Sequence, residues 1–254
     1  MHIQQLTLDR FRGAKFLSIS LHEHLNVFVG MNGAGKSSIL DASAILLSWL
    51  ANRIKSSNAS GKPVTEADIM NGEANANVML SLDINGTTCK WNIAKTRKNV
   101  IHKEVSSDLT NVSTSAKKIW AECVERDQQA NLPLFVYYPV NRSVLDIPLR
   151  IREKHSFDLL SAHEQALTGG ANFRTFFEWF REREDLENEA RRDLETLFSG
   201  HTRASFPDPQ LEAIRKALSQ FMPEFKNLTV RRNPLRMEVE KNGRRLTVNQ
   251  LSDG

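Results

Sequence analysis

The sequence predicts an α/β fold with a strand-rich N-terminal lobe and a helical stretch further along, and three observations predict it. Residues Gly30 to Ser37 read Gly-Met-Asn-Gly-Ala-Gly-Lys-Ser, the pattern Gly-x-x-x-x-Gly-Lys-Ser of a phosphate-binding loop set between a strand and a helix. Val78, Leu80, Leu82 and Ile84 alternate up to Asn85-Gly86, and Cys89, Trp91 and Ile93 alternate after it, which marks a β-hairpin. Phe173, Phe176, Phe177 and Phe180 recur at helical spacing, followed by Leu186, Ala190, Leu194 and Leu197, which marks a long helix.

In chain order, Ile3, Leu6 and Leu8 belong to a first strand that ends at Phe11-Arg12-Gly13, and Leu17, Ile19 and Leu21 to a second. The apolar run Leu25-Asn26-Val27-Phe28-Val29 predicts a short strand ending at Gly30. Glycines in the loop let backbone N–H groups approach phosphate oxygens without a Cβ in the way. Lys36 supplies a point charge for the β/γ-phosphates, and the Ser37 hydroxyl is a Mg²⁺ ligand. Ser37 to Leu50 is apolar-rich and predicts a helix with its N-terminus aimed at the phosphates. Residues Lys55 to Asn77, rich in Ser, Asn, Gly and Ala, predict mostly a surface excursion. Beyond the hairpin, Ser115 to Gln129 predicts a helix with Ile119, Cys123 and Val124 on one face, and Leu134 to Tyr138 a fully apolar strand stopping at Pro139.

The character changes after Arg150. From Phe173 to Phe198 the phenylalanines predict a packed face, opposite a mixed-charge face from Arg181 to Asp193. That face is either solvated helix with i,i+4 pairs or a docking surface for a partner helix. A second helix begins at Asp208-Pro209, an N-cap followed by proline at the first position, and carries the stripe Leu211, Ile214, Leu218 and Phe221. Strands return at Leu228/Val230 and at Leu235, Met237 and Val239, and Asn242-Gly243 turns into Leu246 and Val248. The expected organisation is a nucleotide-binding lobe over 1–150, a helical insertion or arm over 151–225 and a β-hairpin over 226–254.

With 40% hydrophobic and 25% charged residues, the chain reads as soluble and globular, with no uncharged apolar run to span a membrane. Cys89 and Cys123 fit no metal spacing and read as reduced cytosolic thiols, which points to the cytoplasm. His22-Glu23-His24 has no third ligand near it in sequence and reads as a strand end. A net charge of +4 is compatible with a polyanionic partner. Basic residues gather at Lys95 to Lys98, at Arg231-Arg232, and at Arg236 with Arg244-Arg245. They are either a phosphate-tracking surface for nucleic acid or scattered solubilising charge.

Three motifs in order carry a resemblance. They are Phe11-Arg12-Gly13 between two strands, Gly30 to Ala42 with its Gly-Lys-Ser-Ser-Ile-Leu-Asp-Ala, and Leu251-Ser252-Asp253-Gly254. Together they resemble the ABC-type ATPase heads of the RecF, Rad50, SMC and OLD group, in which Leu-Ser-x-Gly opens the ABC signature. The stretch Phe176 to Asp185 with the Arg-rich hairpin looks like the ATPase subunit of Septu-type and retron-associated antiphage systems.

The resemblance implies a P-loop head, a β-rich lobe joined to a Walker A core, that binds ATP with Mg²⁺ and dimerises or forms a higher oligomer of heads. It implies an HNH-type nuclease partner and, in retrons, a reverse transcriptase with its RNA–DNA product. Carried over residue by residue, Gly30, Asn32, Gly33, Ala34, Gly35, Lys36, Ser37 and Ser38 would hold the triphosphate, with Ser37 on the metal. Arg12 and Gly13 would lie near the nucleotide, and Ser252 and Gly254 against the γ-phosphate of the opposite subunit. Where the family has its Q-loop there is no glutamine, and Asn141 and Arg142 are the polar candidates. The family's apolar strand ending Asp-Glu, its Walker B part, has no counterpart here. The sequence is therefore expected to be an incomplete head, an ATPase only at full length. A RecF-type DNA-repair ATPase is the alternative, and a nucleotide-binding scaffold without turnover is a third.

Overall fold

The structure, a computed structural model, describes residues 1–98, 105–126, 131–138, 157, 160, 166–167, 173–197 and 207–248. The chain divides into two units, one of residues 1–139 and 158–170 and one of residues 140–157 and 171–254. The long helix after Phe173 and the C-terminal strands thus share one unit.

In the first unit, β1 (His2–Phe11) pairs antiparallel with β2 (Ala14–Ser20) and with β3 (Asn75–Ile84), and β3 pairs with β4 (Thr87–Thr96). The sheet order is β2-β1-β3-β4. The register aligns Leu8 with Leu17 and Val78, and Val78 with Ile93. Because side chains alternate along a strand, these apolar residues share one face. α1 (Lys36–Lys55) covers it with Ala42, Ile45, Leu46, Leu50 and Ile54, all buried. Trp91 is buried and donates its Nε1–H to the Leu46 carbonyl at 3.3 Å, so the indole is both packed and satisfied. α2 (Thr110–Arg126) adds Val112, Ala116, Ile119 and Cys123 to the same core. It starts five residues before the expected Ser115, because Asp108 accepts the Thr110 N–H at 3.0 Å and leads the chain into the helix.

Two expected strands do not form a ladder. Residues 21–30 have no strand assignment, and Leu25, Val27 and Val29 are 74%, 71% and 91% exposed. An extended run needs a neighbour for its N–H and C=O groups, and among the described residues none pairs with it. Residues 131–138 are likewise unpaired as a strand. There the side chains alternate: Phe135 is buried and Tyr137 half-buried, whereas Leu134, Val136 and Tyr138 are exposed. The Lys55–Asn77 excursion is tied down more firmly than its composition suggests. Val64 and Ile69 are buried, and Ser48 Oγ and Trp49 Nε1 hold the two sides of Lys62 at 2.7 and 3.0 Å.

The second unit holds α3 (Phe173–Leu197), α4 (Pro209–Phe221) and the antiparallel sheet β5 (Phe225–Arg232), β6 (Leu235–Lys241) and β7 (Arg244–Thr247). Phe177 and Phe180 of α3 are fully buried with Leu211, Val230 and Met237. Asp208 caps α4, accepting the N–H groups of Gln210 and Leu211 at 2.9 and 3.0 Å, as the Asp-Pro pair predicts. The charged side of α3 is divided: Glu182, Asp185, Glu189, Arg191 and Arg192 are exposed, whereas others turn inward. Glu178 and Glu184 are buried, Arg183 reaches Asp208 at 3.5 Å, and Arg215 forks onto Glu187 at 3.0 and 2.8 Å.

Candidate functional site

The phosphate-loop residues form a tight turn that feeds α1. Ala34 N–H donates to the Met31 carbonyl at 3.2 Å, and Ile39 N–H to Gly35 at 3.2 Å. Gly33 and Gly35 hold φ of +85° and +88°, a region that residues with a Cβ enter only under strain. Gly35 is the N-cap residue, and no side chain caps the helix. The first-turn N–H groups of Lys36, Ser37 and Ser38 lie beyond the reach of the intrahelical ladder. A side-chain cap would have taken one or two of them; with glycine at the cap no side chain uses these donors.

Lys36 folds back over the loop, its Nζ donating to the carbonyls of Gly30 at 2.7 Å and Met31 at 2.8 Å. Gly30, Asn32, Gly33, Ala34 and Ser37 are exposed, and Lys36 and Ser38 half-buried. The loop therefore brings a cation, a hydroxyl and uncapped backbone donors to one accessible spot, a donor set that fits a polyphosphate and its Mg²⁺.

Arg12 stands in the turn between β1 and β2, at φ +51°. Its backbone N–H donates to the Asp68 carbonyl at 2.7 Å, and its Nε to Asp68 Oδ1 at 2.8 Å. Its Nη1 donates to Asp41 Oδ2, and the guanidinium lies 5.1 Å from the Phe11 ring centroid. Asp41 is on α1, four residues after Ser37, and its other oxygen accepts the Tyr137 hydroxyl. Asp68 uses its second oxygen on the backbone N–H and hydroxyl of Thr65, at 2.9 and 2.8 Å. Gly13 follows Arg12, exposed and without a neighbour where a Cβ would stand.

The titrations follow from these contacts. Burial works to raise the Asp41 carboxyl, but the hydrogen bonds from Tyr137 and Arg12 outweigh it and hold it below the usual carboxylate range. At Asp68 burial is likewise outweighed by Thr65 and Arg12. Tyr137 is pushed up to about 12 by burial and by its bond to Asp41. All four groups therefore keep their ordinary charge states at neutral pH: two carboxylates, one guanidinium, one neutral phenol.

Arg12 is joined through Asp41 to the helix that carries Lys36 and Ser37. Asn141, Arg142, Ser252 and Gly254 lie outside the described residues. Tyr137 opens the stretch Tyr137 to Arg142 that the resemblance sets at the Q-loop position, and Asp41 lies within the Gly30 to Ala42 motif. Their bonds to each other and to Arg12, and the part of Asp68, were not foreseen; the sequence separations run from 29 to 96 residues, so only the fold reveals the contacts. The hairpin arginines are largely engaged: Arg231 and Arg236 both donate to the buried Glu238, at 3.0 and 2.7 Å, and Arg232 to Glu184 at 3.2 Å. Arg97 donates to the backbone carbonyl of Glu73 at 2.9 Å.

Comparison with known proteins agrees with the loop. A family model described as an AAA domain matches residues 5–226. The retron Ec83 probable ATPase of Escherichia coli is 25% identical over 312 residues, covering 100% of this chain and 56% of the relative. The retron Vc95 probable ATPase of Vibrio cholerae serotype O1 biovar El Tor is 25% identical over 288 residues, covering 97% of this chain and 55% of the relative. The DNA replication and repair protein RecF of Colwellia psychrerythraea is 48% identical over 42 residues, 16% of this chain and 11% of that protein. The chain therefore spans a little over half the length of the two retron relatives. No helix among the described residues is long and apolar enough to cross a membrane.

Proposed function

This chain belongs to the AAA domain family, and from that premise we propose that its phosphate loop binds ATP with Mg²⁺ and that the full-length protein hydrolyses it. The observation that carries the proposal is the loop Gly30–Ser37 leading into a helix with no side-chain cap, with Lys36 held, among the described residues, by loop carbonyls. On binding, Lys36 exchanges those carbonyls for phosphate oxygens. The N–H groups at the start of α1 orient the phosphates, and the Ser37 hydroxyl takes the metal. Mg²⁺ held there would supply positive charge against the phosphates. Arg12, Gly13, Asn32 and Ser38 line the approach, and Asn141 and Arg142 remain the candidates for the metal or water ligand.

The likeness to two retron probable ATPases supports a finer assignment. In it the protein is the ATPase subunit of a Septu- or retron-type defence complex, in the cytoplasm, where ATP joins two heads and the assembly controls an HNH nuclease. Ser252 and Gly254 would then reach the opposite head's γ-phosphate, and a reverse transcriptase with its RNA–DNA product would be a further partner. Light scattering tests the joint: ATP with Mg²⁺ is expected to raise the mass of the full-length protein to that of a dimer, and Lys36→Ala to prevent it. A mass unchanged by ATP would reject the ATP-joined dimer. The local match to a RecF protein favours a second reading, a DNA-repair ATPase. An HNH nuclease or reverse transcriptase encoded beside this gene speaks for the first reading, and binding to gapped DNA without such a partner for the second.

A further inference from the structure

Three separate segments meet at Asp41. α1 contributes Asp41 itself, one turn beyond Ser37 on the same helix face, about 6 Å along the axis. The β1–β2 turn contributes Arg12, and the 131–138 segment contributes Tyr137. Tyr137 is itself anchored, its N–H donating to the Ala166 carbonyl at 3.0 Å.

The hydrogen bonding within this cluster is almost closed. Both Asp41 oxygens are used, one on Arg12 and one on Tyr137, and both Asp68 oxygens are used, on Arg12 and Thr65. Arg12 spends Nε on Asp68 and Nη1 on Asp41, while among the described residues Nη2 has no partner. The guanidinium faces two carboxylates, and Lys62 also acts on Asp41, so the Arg12 charge is already matched within the cluster and is poorly suited to attracting phosphate as a simple counter-charge. Its design is that of a clamp. A guanidinium is a rigid planar fork, and fixing two of its nitrogens fixes the direction of the third.

We propose that Asp41 is a positioning residue which, through Arg12, sets the nucleotide affinity of the phosphate loop. The proposal rests on the ATP-binding reading above. Asp41 touches no nucleotide; it holds Arg12 so that Nη2 is presented to a phosphate oxygen, and it ties that orientation to the helix bearing Ser37. Tyr137 fills the second Asp41 oxygen and keeps the carboxylate from rotating away. The strain of an arginine at positive φ is held by the Asp68 carbonyl, so the clamp fixes backbone and side chain together.

A double-mutant cycle on the full-length protein tests this, with ATP and Mg²⁺ as the probe in calorimetry. Asp41→Asn removes the charge and keeps the size; it is expected to weaken binding roughly tenfold, the scale of one charge-assisted hydrogen bond. In an Arg12→Ala background the same change is expected to cost nothing further. Asp41→Glu keeps the charge and is expected to recover part of the loss. Two results would overturn the proposal: wild-type affinity in Asp41→Asn, or losses from Asp41→Asn and Arg12→Ala that simply add. If Asp41→Asn does not fold, Tyr137→Phe takes its place in the cycle, with a smaller loss expected that again vanishes without Arg12. Lys36→Ala separates the two levels. If it abolishes binding while the cycle is additive, the loop assignment stands and the positioning role fails. If Lys36→Ala binds as wild type, the loop assignment itself fails.

Discussion

Glu184 of α3 accepts the backbone N–H of Val230 of β5 with both carboxylate oxygens, at 3.3 and 3.1 Å, and both residues are buried. A helix side chain thus satisfies a strand amide, and the same carboxylate receives Arg232. Glu184→Ala would leave the Val230 amide buried without an acceptor. We expect it to destabilise the second unit by about 1–3 kcal/mol, whereas Glu184→Gln, which keeps an acceptor, costs less. Urea unfolding followed by intrinsic tryptophan fluorescence, to which Trp179 contributes from this unit, measures the difference. Equal stability of Glu184→Ala and wild type would show that this bond is not structural.

Asp41 and Asp68 respond to pH in the opposite direction to Glu184. Asp41 and Asp68 have lowered carboxyl values in the fold, so their stabilisation is fully present above the unfolded-state value, about 4, and is lost as pH falls through the lowered folded value. Burial raises Glu184 despite Val230 and Arg232. Its contribution is therefore fully present below the unfolded value and is lost as pH rises through the raised one. Thermal unfolding across pH is expected to show a shallower acid loss in Asp68→Asn than in wild type. Glu184→Gln is expected to gain relative to wild type as pH rises from about 4 toward neutrality. Parallel curves in either pair would contradict the assignment.

Much of this architecture was legible because the signals are local. Asn85-Gly86 joins β3 to β4 with both residues at positive φ, +51° and +81°, which few residue pairs tolerate. Asp208-Pro209 begins α4 where capping chemistry places it, and α3 follows its phenylalanines. The failures concern partners distant in sequence. Leu25 to Val29 has the composition of a strand, but a strand is made by its neighbour, and among the described residues it has none. The Arg12–Asp41–Asp68–Tyr137 cluster left no periodic trace, because polar side chains at irregular intervals look like ordinary surface. The mixed-charge face of α3 offered a choice between solvent and partner; Glu182, Asp185, Glu189, Arg191 and Arg192 are exposed, while Glu184, Glu187 and Arg183 turn to α4 and β5.

That last point separates two arginines of α3. Arg183 pairs with Asp208, the residue capping α4. Arg183→Glu sets two carboxylates together at the start of that helix, with an expected cost of about 1 kcal/mol. Arg181→Glu is expected to stay within about 0.5 kcal/mol of wild type. Arg181 is therefore the cleaner probe of partner docking, and thermal melts of the two variants check the order. A larger loss in Arg181→Glu would reverse this account of the face.

Gly35→Ala tests the loop geometry. Its φ of +88° places a Cβ in a disfavoured region, at an expected cost of about 1–2 kcal/mol. A loop that relaxes to relieve that strain misaligns the first-turn N–H groups, so ATP affinity is expected to fall while the core, built from other residues, stays folded. Calorimetry and circular dichroism on the same sample distinguish the two effects. Unchanged affinity would mean that this backbone conformation is not needed for binding.

The central claim is that Gly30–Ser37 is a nucleotide site, and the most direct measurement is an ATP–Mg²⁺ titration of the full-length protein against its Lys36→Ala variant. Among the described residues Lys36 donates to the carbonyls of Gly30 and Met31 alone and belongs to neither hydrophobic core cluster, so its removal is expected to leave the melting temperature without nucleotide unchanged. The account predicts saturable binding by wild type and none by Lys36→Ala at the same concentrations. Equal binding by the two proteins would contradict it.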